Sequence, residues 1–259
     1  MNRIQGLFSR KKENILSIYF TAGFPNLNDT SLIIAELEKS GADMIEVGIP
    51  FSDPLADGPV IQHSSEVALK NGMSLKLLFD QLSKSAIKNS KSAILLMGYL
   101  NPVLQYGIEN FCKKAKECGI DGVILPDLPL SEYVNEYKSV FEKYGILNIF
   151  LITPQTSESR IRMIDEYSNG FIYMVSSAST TGGNKDMDDK TEKYFQRILN
   201  MKLKNPLMIG FGISNKESFE KACGYANGAI IGSAFIKAIE KSKDLEKDIP
   251  GFVKGIKKR

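Results

Sequence analysis

Between residues 46 and 60 the chain reads Glu46-Val47-Gly48-Ile49-Pro50-Phe51-Ser52-Asp53-Pro54-Leu55-Ala56-Asp57-Gly58-Pro59-Val60. No turn type requires two aspartates in such a loop, and Pro50, Pro54 and Pro59 each restrict the backbone. The segment reads as a device for holding carboxylates still. Glu46 stands in an otherwise apolar run, Met44-Ile45-Val47. Burial there disfavours the charged form and raises the carboxyl toward general-acid range. Asp57 on the following loop supplies a second, ionised carboxylate, and two carboxyls whose environments push their pKa values apart suit paired acid and base roles. A buried, hydrogen-bonded structural glutamate is the alternative for Glu46. Asp53 either caps the loop or faces a partner.

Other catalytic chemistries are poorly supplied. His63 is the only histidine, so a multi-histidine metal site is impossible and a serine triad would have to use it; a place on a helix surface suits it better. Cys112, Cys118 and Cys223 lack C-x-x-C spacing and read as buried thiols rather than disulfide or zinc ligands. The formal net charge of +3 is spread along the 259 residues, which is no nucleic-acid footprint, and Lys254 to Arg259 read as a solvated basic tail. With no apolar leader and no run of roughly 18 apolar residues, the expectation is a soluble cytoplasmic protein without membrane contact.

The carboxylates must be positioned by the elements around them. Near-continuous apolar runs, as in parallel strands covered on both faces, occur at Ile15–Phe20, Met44–Val47, Ala93–Met97, Val123–Leu125, Ile146–Ile152, Phe171–Val175, Leu207–Ile209 and Ala229–Ile231. Helical patterns lie between them, with Asp29 before one and glycines such as Gly41, Gly119, Gly145 and Gly224 closing several. Helices are expected at Ile108–Cys118, Ser131–Tyr144 and Asn215–Cys223. The alternation predicts an α/β fold, a single (β/α)8 TIM barrel over residues 1–259 with extra N-terminal and loop helices. A doubly wound open sheet is the alternative.

In a barrel, function gathers at the carboxyl ends of the strands. None of the strand segments ends in lysine, which removes the Schiff-base route to carbon–carbon cleavage. Gly210-Phe211-Gly212 follows the seventh strand and Gly232-Ser233 the eighth, while Thr181-Gly182-Gly183 follows the sixth. Bare backbone amides and the N-terminus of the helix opening at Ser233 could seat a phosphate without lysine or arginine.

Together these residues resemble one family closely. Glu46 to Pro59 is similar to the signature of the tryptophan synthase alpha subunit, and the likeness extends through Thr21-Ala22-Gly23, Tyr99-Leu100-Asn101-Pro102, Asp127-Leu128-Pro129, Tyr173, Gly210-Phe211-Gly212-Ile213 and Ile231-Gly232-Ser233-Ala234. The resemblance implies a lyase that cleaves indole-3-glycerol phosphate by a retro-aldol reaction to indole and glyceraldehyde 3-phosphate. It implies Glu46 as acid/base residue, Asp57 at the indole N–H, and Tyr19, Tyr99, Ile124, Ile152, Tyr173, Thr181 and Phe211 around the substrate. Gly182, Gly212, Gly232 and Ser233 would hold the phosphate. No metal and no cofactor are implied on this chain; pyridoxal phosphate belongs to a beta subunit that receives indole in an αββα assembly. Asp53, Pro54 and Leu55, with 101–106 and 129–132, fall where that partner would dock.

One stretch departs from the family pattern. The loop after the sixth strand commonly reads Ser-Arg-x-Gly-Val-Thr-Gly, whereas Ser176 to Gly182 reads Ser-Ser-Ala-Ser-Thr-Thr-Gly. A lid over 179–188 that orders on ligand binding is expected. Two alternatives compete with the lyase: another phosphate-binding barrel, such as an isomerase of a phosphorylated intermediate, and a catalytically silent allosteric subunit.

Overall fold

The computed structural model describes residues 2–175, 189–210 and 212–257. Parallel strands β1 (Ile15–Thr21), β2 (Met44–Gly48), β3 (Ala93–Met97), β4 (Gly122–Ile124), β5 (Leu147–Ile152), β6 (Ile172–Val175), β7 (Leu207–Gly210) and β8 (Gly228–Ile231) close into a barrel in chain order. Nearly every strand residue is buried, because side chains alternate between the barrel interior and the helices outside and both sides are covered. The expected TIM barrel is therefore what the chain forms, with each strand within two residues of its expected bounds.

Helices α1 (Arg3–Arg10), α2 (Thr30–Lys39), α3 (Pro59–Lys70), α4 (Leu75–Lys84), α5 (Leu100–Tyr106), α6 (Ile108–Cys118), α7 (Leu130–Glu132), α8 (Lys138–Tyr144), α9 (Glu158–Tyr167), α10 (Asp189–Asn200), α11 (Lys216–Cys223), α12 (Ser233–Glu240) and α13 (Leu245–Lys257) pack around it. Local signals set their ends. Asn215 accepts from the Ser218 amide while the Ser218 hydroxyl accepts from the Asn215 amide, a reciprocal cap that starts α11. The amino end of the barrel is closed by α1. Arg3 reaches the buried Asp121 carboxylate at 2.8 Å, and Ile4 is wholly buried.

Three expectations change. The segment expected as one helix over Ser131–Tyr144 is interrupted by a π turn at Tyr133–Tyr137, where the Lys138 amide donates to the Tyr133 carbonyl. There the Tyr133 ring meets Phe141 and Phe150 edge to face, with centroids 5.5 and 5.2 Å away, so ring packing overrides regular helix geometry. The basic C-terminal stretch is not simply a solvated tail. Through Lys257 it belongs to α13, which buries Val253 and Ile256, and Lys257 donates to the Gly41 carbonyl and reaches Asp43 at 3.3 Å. Gly224 closes α11 with φ of −68°, an ordinary right-handed value, so no left-handed cap forms there.

Candidate active site

The register fixes which residues look inward. Tyr19, Glu46 and Leu95 pair across β1, β2 and β3, and paired residues of parallel strands share a face. Glu46 is fully buried; its Oε1 accepts a hydrogen bond from the Ser17 hydroxyl at 2.7 Å, and its Oε2 has no partner among the described residues. Desolvation pushes its carboxyl up to about 7, against the pull of Ser17. The residue therefore changes charge close to neutral pH, as the apolar setting of β2 predicts.

Asp57 sits on the loop entering α3 and is also buried. Its Oδ2 accepts from the Tyr99 hydroxyl at 3.0 Å, and its carbonyl accepts from the Gln62 side chain at 2.9 Å. Burial raises it to about 6, opposed by Tyr99. Asp57 is thus less polar in its surroundings than expected, yet it stays the stronger acid of the pair. Burial thus raises both carboxyls toward neutral pH, Glu46 to about 7 and Asp57 to about 6.

Two buried phenols lie within the electrostatic reach of both carboxylates. Burial first, then the charges of Asp57 and Glu46, hold Tyr19 far above the usual tyrosine range. Tyr173 is raised by burial and by the same two carboxylates. Both rings need glycines opposite them. A side chain on Gly48, at the end of β2, would overlap the Tyr19 hydroxyl, and one on Gly210, at the end of β7, would overlap the Tyr173 hydroxyl. Tyr19 also spans toward the other end of the site, since a Cβ on Gly232 would lie 3.5 Å from its ring.

Gly232 is half-buried and precedes α12, whose first residue Ser233 is exposed. Because α12 directly follows β8, its N-terminus opens on the carboxyl side of the barrel, where backbone amides and the helix dipole favour an anion. Gly212, two residues past the end of the neighbouring β7, has φ of +76°, a left-handed turn that glycine adopts without strain.

Four of the residues expected around the substrate lie in the buried interior. Tyr19, Tyr99, Ile124 and Tyr173 are buried, and Ile124 pairs with Ile149 and Met97 on the inward side. Ile152 is a correction. The β5–β6 register pairs Leu151 with Tyr173 and Ile152 with Met174, so Leu151 shares the face of Tyr173 and Ile152 is turned toward the helices. Leu151 is partly exposed and Ile152 wholly buried, as a pocket wall and an outer-layer residue should be. Thr181, Gly182, Phe211 and the lid expected over 179–188 lie outside the described residues.

Asp53 and Pro54 lie on the rim rather than in the site. Asp53 is exposed with the Ser52 hydroxyl donating to it, and the adjoining Leu55 is 87 % exposed. His63 is on the surface of α3, beside Glu240 at 3.2 Å, as expected. Cys112 and Cys118 are buried free thiols and Cys223 is half-buried. Among the described residues no group of three or more His, Cys, Asp or Glu could hold a metal ion. Sequence reading missed Ser17, whose hydroxyl looks like any small strand residue until the barrel closes.

The closed parallel barrel, with two buried carboxyls, Glu46 and Asp57, toward the carboxyl ends of its strands, places the chain among the TIM-barrel proteins. A family model described as tryptophan synthase alpha chain matches residues 7–253, and the chain belongs to that family. It is 61 % identical over 242 residues to the tryptophan synthase alpha chain of Flavobacterium johnsoniae, covering 93 % of this chain and 95 % of that one. It is 57 % identical over 258 residues to the alpha chain of Phocaeicola vulgatus, covering 99 % of this chain and 100 % of that one. Among solved structures, tryptophan synthase subunit alpha of Legionella pneumophila superposes with TM-score 0.87 at 35 % identity, covering 99 % and 97 % of the two chains. A chain of the tryptophan synthase complex of Pyrococcus furiosus gives TM-score 0.84 at 33 % identity, covering 95 % and 98 %.

Proposed function

We propose that this chain is the lyase subunit that splits indole-3-glycerol phosphate into indole and glyceraldehyde 3-phosphate, with Glu46 and Asp57 as its acid/base pair. The single observation that carries the assignment is the buried Glu46 carboxyl, free at Oε2 and acting on the same phenols as Asp57.

The protonated Glu46 delivers its proton to C3 of the indole ring, which becomes an iminium. Ionised Asp57 accepts a hydrogen bond from the ring N–H and stabilises the positive charge as it forms. Glu46, now a carboxylate, takes the proton from the glycerol hydroxyl next to the ring. The hydroxyl carbon becomes an aldehyde, the bond to C3 breaks, and its electron pair restores the aromatic indole. The substrate is its own electron sink, so neither lysine nor a cofactor is needed on this chain. Leu151, Tyr19, Tyr173 and Ile124 enclose the ring, and Gly232, Ser233 and Gly212, with Gly182, seat the phosphate.

A catalytically silent subunit would gain nothing from this arrangement. A buried carboxyl oxygen without a partner costs about 1–3 kcal/mol, a penalty that a binding scaffold would shed. Glu46→Gln is the direct test: the variant should bind indole-3-glycerol phosphate and release indole at least about a hundredfold more slowly. Near-normal turnover would remove Glu46 from the chemistry.

The partner is a beta subunit that carries pyridoxal phosphate and takes up the indole, in an αββα assembly. The rim bearing Asp53, Pro54 and exposed Leu55, with α5 and the turn before α7, is the face for that contact. No helix among the described residues is long and apolar enough to cross a membrane, which fits a cytoplasmic biosynthetic enzyme.

A further inference from the structure

We infer that Ser17 is the positioning residue of the acid/base glutamate: its hydroxyl pins Oε1 of Glu46 and so makes Oε2 the oxygen that carries the proton to and from the substrate. The inference rests on the role proposed above for Glu46.

Ser17 and Glu46 are both completely buried, and the Oγ to Oε1 distance of 2.7 Å is that of a strong hydrogen bond to a carboxylate. Ser17 lies on β1 two residues before Tyr19, which is the register partner of Glu46. It is thus one inward-facing position nearer the amino end of its strand, on the side away from the mouth. A hydroxyl there holds the carboxyl from beneath, while Oε2 is left without a partner among the described residues.

The chemistry of the hydroxyl matches what the reaction asks. Glu46 must be an acid in one step and a base in the next. A serine hydroxyl donates to Oε1 in both states, to a carboxylate oxygen when Glu46 is ionised and to the carbonyl oxygen of the acid when Oε2 carries the proton, so it holds the glutamate through both steps. Valine or alanine would fill the same layer without either bond, and lysine would lock the carboxylate in its charged form. The other groups acting at this place are Asp57 from the loop before α3 and the phenols of Tyr19 on β1 and Tyr173 on β6. Neither phenol ionises near neutral pH. The bond from Ser17 is the influence that holds the Glu46 carboxyl below where burial alone would put it.

The test compares Ser17→Ala and Ser17→Thr with the parent enzyme. Removing this hydrogen bond should move the alkaline limb of kcat/KM upward by about 0.5–1 pH unit in Ser17→Ala. Its kcat should fall about tenfold with KM nearly unchanged, and Ser17→Thr, which keeps the hydroxyl, should restore the limb. The Glu46 carboxyl, followed by carbon NMR in folded protein without substrate, should titrate higher in Ser17→Ala by the same interval. Should Ser17→Ala fold poorly, Ser17→Cys keeps the volume with a weaker donor and should show an upward shift of the same kind. An unmoved carboxyl titration in a folded variant, or a rise in KM at constant kcat, would overturn the inference. Full turnover by Glu46→Gln would instead overturn the role of Glu46, while the NMR shift would still report the bond from Ser17.

Discussion

The Tyr99 hydroxyl donates to Asp57 Oδ2 at 3.0 Å and accepts the Ala56 amide at 3.0 Å, so one phenol from the end of β3 clamps both the carboxylate and the backbone of the loop that carries it. Its ring stacks on Phe51, with centroids 5.1 Å apart, at the other end of the same loop. Tyr99→Phe should keep the stacking and lose the clamp. Because the bond from Tyr99 lowers the Asp57 carboxyl, its loss should move the acid limb of kcat/KM to higher pH. Steady-state profiles for the two enzymes check this, and an acid limb that stays put would detach Tyr99 from Asp57.

The two carboxyls set a window for activity. In the proposed mechanism cleavage needs ionised Asp57, lost as pH falls through about 6, and protonated Glu46, lost as pH rises through about 7. A bell-shaped kcat/KM with its maximum near pH 6.5 is expected. Asp57→Asn should lower the rate and flatten the acid limb while the alkaline limb remains.

Glu46 also costs stability at working pH. Its folded value near 7 lies above its ordinary value of 4.5, so between those values the native state holds more protons than the unfolded chain and stability falls as pH rises. The loss is complete above about pH 7 and amounts to about 3 kcal/mol. Glu46→Gln should therefore raise the thermal midpoint at pH 8 by several degrees and change it little at pH 4. Equal shifts at both pH values would contradict a buried, titrating glutamate.

Close approach at Gly48 gives a prediction on packing. In Gly48→Ala the new methyl would overlap the Tyr19 hydroxyl, and overpacking of this kind costs about 1–3 kcal/mol. Tyr19→Phe in the same chain should recover part of that loss, because ring atoms at 2.7 and 2.9 Å remain crowded. Denaturant melts of the two single variants and the double variant measure the coupling; strict additivity would mean the strand moves away instead.

Much of this was written in local sequence. Apolar runs with no alternation announced parallel strands buried on both faces, and glycine and asparagine marked several helix ends, so barrel order followed from counting. Glu46 in an apolar strand next to a proline-stiffened loop with Asp57 was legible for the same reason: a charge among Met44, Ile45 and Val47 is unusual without a use. Only the closed barrel decided what those residues meet. The bond from Ser17 to Glu46 joins two strands, the clamp of Tyr99 on Asp57 joins residues 42 apart, and the exchange of Ile152 for Leu151 depends on a register that one residue's slip reverses. Lys257 seeks Gly41 and Asp43 because α13 packs on α2, a contact that charge patterning near the C-terminus cannot reveal. Local residue types determine which elements form, whereas partners far apart in the chain are chosen by the geometry of closure.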